Sequence, residues 1–377
     1  MAETGKRQAN FELLRILAML MVVSMHFLSH TGGLPVAEEG RVPDGRETAG
    51  VLVESFCIVA VNVYVLISGY FLSQKGFSFR RLQRLWCQIL FYTLLIPVGL
   101  TAAGVLSAAE LLNPYHVWNC LFPVQSGHYW FVTAYVVLLL FSPLLNAAVR
   151  AMSARQLRIA IGALLAFFCL GKSLSVLPFA SDRYGYDFGW FICLYLTGAC
   201  MRRHGSALLG RKKRCALLYA ISCLLVAGSE LFSLWLCGSR GILEYYATVP
   251  FHYNYLFAYT GALGLFCLFA GLRIPAGKVS GWICQASRGA FGVYLIHEHV
   301  DISGRWTEWI LGEPSGHTAG YLIQMTESVL FLFLLCICID LLRGRLFELA
   351  KQGLAKTRLG QRVSATLDRL DSCMEQR

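Results

Sequence analysis

The sequence predicts an all-α polytopic membrane protein with about ten transmembrane helices and both termini in the cytoplasm. Of its 377 residues, 56% are hydrophobic and only 15% are charged, and the mean hydropathy is +0.55. A soluble domain of ordinary composition is about half apolar and about a quarter charged. The composition therefore excludes a disordered chain, a collagen, a coiled coil and a small disulfide scaffold, and it favours the bilayer as the solvent.

Ten apolar stretches are candidates for the roughly 20 residues that a spanning helix needs. Two are weaker than the rest, because 188–201 is short and 289–310 contains several polar residues. The first stretch is not expected to be a removable signal peptide, since Arg15 lies in its core and no small-residue cleavage site follows His26. The ten stretches are 11–30, 49–72, 86–108, 129–149, 159–178, 188–201, 215–237, 251–271, 289–310 and 319–342.

Lysine and arginine are distributed unequally over alternate loops. With the N-terminus placed in the cytoplasm, 26 of the 33 fall in cytoplasmic segments, 5 in external segments and 2 within spans. This is the positive-inside pattern of a membrane protein. Because the cations are spread over six segments, the net charge of +11 does not indicate nucleic-acid binding. We predict a transmembrane domain over 1–342 and a basic, amphipathic cytoplasmic tail over 343–377 beside the lipid bilayer.

The first predicted helix carries the most informative polar residues. Arg15 and His26 are eleven residues apart, close to three helical turns. They therefore share one face, about 16 Å apart along the axis, and Glu12 lies near the same stripe. A guanidinium near the inner leaflet can pair with phosphates of a cytoplasmic cofactor, and an imidazole can take a proton from a hydroxyl. The alternative is a snorkelling arginine and a histidine that hydrogen-bonds a neighbouring helix.

Five segments along the chain occur in an informative order. They are Glu12-x-x-Arg15-x-x-Ala18 with His26, then Ser68-Gly69-Tyr70, the basic run 80–84, Tyr129-Trp130-Phe131 with Pro143, and Tyr294-Leu295-Ile296-His297. This ordered set resembles the motifs of the acyltransferase-3 family of integral-membrane acyltransferases over most of the chain. Glu12 departs from the Asp that is commoner in the family, and Asn62 and Tyr64 stand where family members vary between acidic, Asn and aromatic residues. These departures leave the acceptor open and do not affect the base.

The resemblance implies transfer of an acyl group, usually acetyl, from cytoplasmic acyl-CoA to a hydroxyl of a saccharide or cell-surface glycan. It also implies a prokaryotic plasma membrane, His26 as the catalytic base and Arg15 as a contact to the donor. No metal is expected, since the sequence contains no metal-ligand cluster and the 14 cysteines form no C-x-x-C pair.

The remaining candidates each have a structural alternative. Small residues in a span also serve as helix contacts, basic runs also anchor the inner leaflet, and aromatic residues also form interfacial belts. The further donor-binding candidates are Ser68, Gly69, Arg80, Arg81 and Arg84. The candidates for acceptor binding or orientation are Glu12, Tyr129, Trp130 and His297.

Two other functions stay open from the sequence. A transporter or channel would line a pathway with Arg15 and the other intramembrane charges, and it predicts Gly- or Pro-broken helices in matching halves. No such inverted pair is evident in this sequence. An acyltransferase that acts on an amine or on a lipid-linked carrier is the second alternative. The sequence also leaves the oligomeric state open.

Overall fold

The computed structural model describes residues 7–180 and 182–375, and within them it contains helices and loops but no β-strand. The predicted all-α membrane fold is therefore confirmed. Lys6 and Arg377, which the charge count includes, lie outside the described residues. The helices are α1 (Ala9–His30), α2 (Gly45–Cys57), α3 (Ala60–Leu72), α4 (Phe79–Ala102), α5 (Ala108–Leu111), α6 (Pro114–Leu121), α7 (Trp130–Ala151), α8 (Ala154–Leu165), α9 (Gly171–Leu174), α10 (Phe188–His204), α11 (Lys212–Arg240), α12 (Leu256–Ala270), α13 (Lys278–His297), α14 (Trp306–Leu311), α15 (Thr318–Ala355) and α16 (Arg358–Glu375).

Two irregular turns interrupt this all-helical chain. A π-helical turn, Ala166–Leu170, joins α8 to α9, and a 3₁₀ turn, Tyr246–Phe251, precedes α12.

Helix ends follow ordinary capping chemistry. Asp44 accepts a hydrogen bond from the backbone of Glu47, whose carboxylate accepts one from the Asp44 N–H in return, so α2 begins with a capping box.

Eight segments of the described chain are long and apolar enough to cross a bilayer. The two weakest predicted spans coincide with α10 and α13, which fall outside this set. Helix α10 has only 17 residues, and α13 has a polar first half. Both nevertheless pack against other helices of the bundle. In the middle of α13, Ser287 donates to Glu12 near the start of α1, and at the C-terminal end of α13, His297 contacts His26 near the end of α1.

The basic segments converge at one end of the bundle. Arg203, in the last turn of α10, donates to the carbonyl of Arg150 near the end of α7. Asn10, at the start of α1, donates to the carbonyl of Phe269 at the end of α12, 2.9 Å away. We call this the inner end, which the charge distribution assigns to the cytoplasm. The opposite end, where His30 ends α1, is the outer end.

The predicted tail begins inside a helix, because α15 continues past residue 343 to Ala355. After a short break, α16 turns back onto the start of α4. The Asp371 carboxylate accepts hydrogen bonds from the Ser78 hydroxyl and the Phe79 N–H, and Asp368 pairs with Arg80. An acidic group at a helix N-terminus satisfies free N–H groups and the helix dipole. The tail therefore packs against the transmembrane helices at the inner end.

Two glycines allow α3 and α10 to approach closely at the centre of the bundle. A Cβ on Gly69 would lie 2.1 Å from the Tyr195 carbonyl oxygen, and one on Gly198 would lie 2.3 Å from the Leu66 carbonyl oxygen. Small residues allow such backbone contact between membrane helices, where lipid supplies no hydrophobic driving force. Helix α10 is consequently one of the most buried helices of the described chain.

We predict that Gly198→Ala destabilises the protein, because the new methyl group must push two backbones apart. The expected loss is about 1–3 kcal/mol, as for other overpacked sites. The measurement is thermal unfolding of the purified protein in detergent or nanodiscs. Gly228→Ala is the control, since its Cβ would meet no atom within 4 Å. It should leave the melting temperature unchanged or slightly raised, and equal melting temperatures for the two variants would contradict the prediction.

Candidate active site

The predicted base, His26, lies in a cluster of polar side chains at the outer end. Its Nδ1 atom is 2.9 Å from Nε2 of His297 and 3.1 Å from Oε1 of Glu298. The side chain of His26 is 21% exposed, whereas His297 is fully buried. One imidazole can therefore meet a substrate, and the other supports it from inside the bundle.

Glu298 reaches His26 because α13 ends at His297. The next residue, Glu298, has left the helical conformation, with φ −95° and ψ 9°. Its carboxylate turns back toward α1, where it also accepts a hydrogen bond from Ser303 Oγ at 3.2 Å. Adjacent residues within a continuous helix would point in different directions. The helix end is thus what brings both His297 and Glu298 to one imidazole.

The hydrogen bonds assign the tautomers of the two histidines. His297 Nδ1 lies 2.6 Å from the Val293 carbonyl oxygen, which can only accept, so this nitrogen carries a proton. In the neutral His297 imidazole, the Nε2 atom is then a hydrogen-bond acceptor. His26 Nδ1 must therefore carry the proton that points to His297 and Glu298. This leaves the Nε2 lone pair of His26 free to take a proton from a substrate.

Aromatic rings enclose the cluster. Trp306 of α14 meets the rings of His30 and His297 edge to face and also packs against Phe27. On the α7 side, the buried Tyr129 hydroxyl donates to the Leu295 carbonyl oxygen at 2.7 Å. These contacts fix the last turn of α13, so the orientation of His297 is set by packing as well as by hydrogen bonds.

The same three side chains have the spacing of a metal site. His26, His297 and Glu298 each offer one ligand atom, and these atoms lie within 4.8 Å of one another. Two imidazoles and a carboxylate are the donor set of several zinc enzymes, and the Val293 contact is the kind of outer hydrogen bond that orients a ligating histidine. A metal cation at this position would bind His26 through a deprotonated Nδ1 atom. The protonation of Nδ1 therefore distinguishes a metal-bound site from a metal-free site.

Arg15 lies on α1 toward the inner end, as predicted. Its Nη1 atom donates to Glu12 Oε1 at 2.6 Å, and its side chain is 30% exposed. Glu12 is buried and also accepts from Arg7 and Ser287, so it anchors α1 to α13 and holds the Arg15 guanidinium. The Arg15 carbonyl accepts a hydrogen bond from the Tyr64 hydroxyl.

The other donor-binding candidates are not grouped in one place. Ser68 hydrogen-bonds to the backbone of its own helix at the Tyr64 carbonyl, and Gly69 is occupied by the contact with α10 described above. Arg80 is engaged by α16, Arg81 is half-buried and Arg84 is exposed. The structure thus supports the helix-contact alternative for Gly69.

The acceptor candidates divide between two places. Tyr129 and His297 belong to the cluster around His26. Trp130 instead faces Tyr186 and Tyr253, with ring centroids at 4.4 and 5.6 Å, in a neighbouring part of the outer end. Glu12 lies at the inner end beside Arg15, so it is placed to position the arginine rather than an external acceptor.

Sequence reasoning missed two serines of these two polar groups. Ser303 holds Glu298, and Ser287 holds Glu12. Glu298, which follows the predicted His297, is also not among the site residues that the sequence predicts. Serines are common in membrane helices and loops, so a serine in the sequence does not indicate a functional site. The only sequence signal for this loop is the pair His297–Glu298 within an apolar stretch.

A second group of histidines forms the outer wall beside this cluster. His116 Nε2 is 3.0 Å from Asp301 Oδ2, and the rings of His128 and His299 are 4.7 Å apart. Burial lowers the pKa of His128 to about 4. The His128 imidazole is therefore neutral at physiological pH. This wall ties the loop before α7 to the segment after α13.

In this many-helix membrane protein, a partly exposed imidazole contacts a partly buried carboxylate and a fully buried second histidine, an arrangement suited to proton transfer. Comparison with known families shows which class of protein this is. The family model described as an acyltransferase domain, that of the acyltransferase-3 family, matches residues 8–342. The chain therefore belongs to the acyltransferase-3 family, and the resemblance read from the sequence is confirmed. No curated protein and no solved structure matches the chain at the significance required.

We predict that His26 carries its proton on Nδ1, because the only open lone pair in the hydrogen-bond pattern is on Nε2. The measurement is solid-state NMR of protein labelled with ¹⁵N-histidine, in which protonated and bare ring nitrogens have well-separated shifts. A His26→Asn sample assigns the resonances. The expected result is a protonated Nδ1 and a bare Nε2 at neutral pH. A proton on Nε2, or a bare Nδ1 that appears with bound zinc, would contradict the assignment.

Proposed function

We propose that this acyltransferase moves an acyl group, usually acetyl, from cytoplasmic acyl-CoA to a hydroxyl of a saccharide or cell-surface glycan. Membership of the acyltransferase-3 family supports acyl transfer in general. The observation that carries the finer proposal is the contact of His26 Nδ1 with Glu298 and His297, because it frees Nε2 of the same ring as a base. No metal is required in this proposal.

In the proposed reaction, His26 Nε2 removes the proton of the acceptor hydroxyl as its oxygen attacks the thioester carbonyl carbon. The new C–O bond gives a tetrahedral intermediate with negative charge on the former carbonyl oxygen. When the C–S bond breaks, the electron pair leaves with the CoA sulfur, and the imidazolium returns its proton to that thiolate. Glu298 stabilises the imidazolium during the interval in which His26 is charged.

Arg15 is proposed to hold the phosphate-bearing part of the donor at the inner end. The guanidinium is half-buried, paired with Glu12 and directed along the same helix face as His26. A planar guanidinium binds phosphate oxygens through two hydrogen bonds. The pantetheine arm of CoA is long and thin, so it could follow α1 over the roughly 16 Å that separate the two levels. Arg81 and Arg84 offer further positive charge at this end.

The transporter alternative is less well supported. The intramembrane charges do not line a single pathway in the described residues, because Arg15 is paired with Glu12 and Lys172 is paired with Asp182 in another part of the bundle. Transfer to an amine or a lipid-linked carrier would use the same base, and the mass-spectrometric test below identifies the acceptor directly.

We predict that His26→Ala abolishes acyl transfer, with a loss of at least about 10²-fold, because the reaction loses its general base. The measurement is mass spectrometry of surface polysaccharide from cells that express each variant at equal levels in the membrane. His30→Ala is the matched control, since this histidine is one turn further along α1 and its Nε2 is 3.8 Å from Glu298. It should retain most of the acylation. Near-normal acylation by His26→Ala would refute the role of the base.

We predict that Arg15→Lys raises the apparent donor KM about tenfold, equivalent to ~1.4 kcal/mol, with a smaller effect on kcat. Lysine keeps the charge but loses the planar fork. The measurement is the acyl-CoA dependence of transfer by protein in nanodiscs. Arg41→Lys is the control, because Arg41 also pairs with a buried glutamate, Glu47, but near the start of α2 at the outer end. An unchanged donor KM for Arg15→Lys would argue against donor binding.

A further inference from the structure

The outer end contains a second feature that the proposed reaction does not use. A cleft of about 660 Å³ opens between the loop before α10 and the turn before α12. This volume is within the range of small-molecule sites, about 300–1,000 Å³. We call it the outer cleft, and its lining residues are Asp182, Arg183, Tyr184, Tyr186, Asp187 and His252.

Two tyrosines present their rings in this cleft. Tyr184 is 41% exposed and Tyr186 is 43% exposed. Tyr184 stacks on His252 with ring centroids 4.3 Å apart, and Tyr186 packs on Trp130. The Lys172 ammonium also lies 4.9 Å from the Tyr184 ring centroid, and Tyr186 also packs on Tyr253, so each side chain is partly covered by the protein and partly open to solvent. Tyrosine combines an apolar ring with a polar hydroxyl and is common in binding surfaces.

The loop that carries these tyrosines is held in one conformation. Asp182 pairs with the buried Lys172, whose Nζ lies 2.5 Å from Asp182 Oδ2, and it also accepts from the Tyr184 N–H at 2.8 Å. The Tyr184 carbonyl then accepts from the Tyr253 N–H at 3.1 Å. Burial would raise the pKa of Asp182, but the Lys172 ammonium and these donors hold it below its usual value. The carboxylate therefore stays ionised, and the ion pair persists at neutral pH.

Backbone strain is also concentrated at this position. Tyr184 has φ +60°, a left-handed conformation that is uncommon for a residue other than glycine. Such conformations persist where the surrounding contacts overdetermine them, and they cluster at binding sites. Here the contacts with Asp182 and Tyr253 supply the compensation. The tyrosine ring is thereby fixed over His252 before any ligand arrives.

One polar atom of a cleft-lining residue lacks a partner. His252 Nδ1 is buried and has no hydrogen-bond partner among the described residues. Asp187 and Arg183 add a carboxylate and a guanidinium to the rim of the outer cleft. Buried polar atoms are normally satisfied by protein, water or ligand. The cleft thus offers flat apolar faces next to both donors and acceptors, as a saccharide requires, because a sugar ring has an apolar C–H face and a rim of hydroxyls.

The cleft adjoins the helix that carries His297. Tyr186 packs on Trp130, and the next residue, Phe131, packs on Tyr294 of α13 with ring centroids 5.8 Å apart. Tyr294 is three residues before His297. A continuous series of aromatic side chains, Trp130, Phe131 and Tyr294, therefore connects the outer cleft to the turn of α13 that carries His297.

We propose that the outer cleft is a subsite for the acceptor saccharide, in which Tyr184 and Tyr186 bind sugar rings while a hydroxyl of a neighbouring unit reaches His26. This inference rests on the proposed function, since it assigns the acceptor of the same reaction. Binding energy at a remote unit of the substrate can position the reacting hydroxyl. The cleft should therefore affect acceptor affinity more than donor affinity.

The test measures saccharide binding without any acyl donor. The full chain is placed in nanodiscs, and saturation-transfer NMR is recorded with oligosaccharide fragments of the surface polysaccharide of cells that carry the protein. The variants are Tyr184→Ala/Tyr186→Ala, Tyr184→Phe/Tyr186→Phe and, as a matched control, Tyr115→Ala, a 73% exposed tyrosine on α6 that is not part of the cleft.

The expected result is that the double alanine variant binds the fragments at least about tenfold more weakly, whereas the double phenylalanine and control variants bind within about twofold of the unaltered protein. Because both rings are exposed, the melting temperature of the double alanine variant should be unchanged, which separates lost binding from misfolding. Equal binding by the double alanine variant, or no binding of any fragment to the unaltered protein, would overturn the proposal.

The His26→Ala variant distinguishes this inference from the proposed function. It should bind the fragments normally and transfer no acyl group. If the unaltered protein binds fragments through the tyrosines but transfers no acyl group from acyl-CoA, the proposed function fails and the binding site stands. If transfer occurs but the tyrosine substitutions do not change fragment binding, the acceptor binds elsewhere and only the present inference fails.

Discussion

The contact of His26 with Glu298 and His297 is the interaction on which the rest of the site depends. A carboxylate that is partly buried at the edge of a bilayer is costly unless it is paired and hydrogen-bonded. Glu298 meets this requirement with His26 and Ser303, and the His297 ring is fixed by the Val293 carbonyl. The end of α13 is therefore held against α1, and the orientation of the imidazole follows.

The same two helices are joined again at the inner end. Glu12 of α1 accepts from Ser287 of α13 and from Arg15. Because α1 and α13 share polar contacts at two levels, they cannot slide or rotate relative to each other without leaving polar groups unsatisfied. A rigid helix thus separates a cation near one membrane surface from an imidazole near the other. The proposed transfer, from a donor on one side to an acceptor on the other, would use both groups.

The close packing of α3 against α10 depends on an asparagine and two glycines, whereas α1 and α13 are joined through charged groups. Asn62 of α3 accepts from the Trp190 indole N–H and donates to the Tyr253 carbonyl, so it links α3, α10 and the turn before α12. Gly69 and Gly198 allow the two backbones to approach. This scaffold supports the loop of the outer cleft, because the loop ends at Asp187, whose carboxylate caps α10 through the Trp190 N–H.

The sequence by itself determined the membrane fold, the family, and the shared face of Arg15 and His26. Those properties follow from composition, motif order and helical periodicity, which are local. Only the tertiary structure decided that Glu298 reaches His26, that Gly69 faces α10, and that Tyr184 and Tyr186 border one cleft. The physical reason is that these relations depend on where a helix ends and on which faces of distant helices meet. In an apolar sequence nearly every face can be buried, so hydropathy does not specify the neighbour.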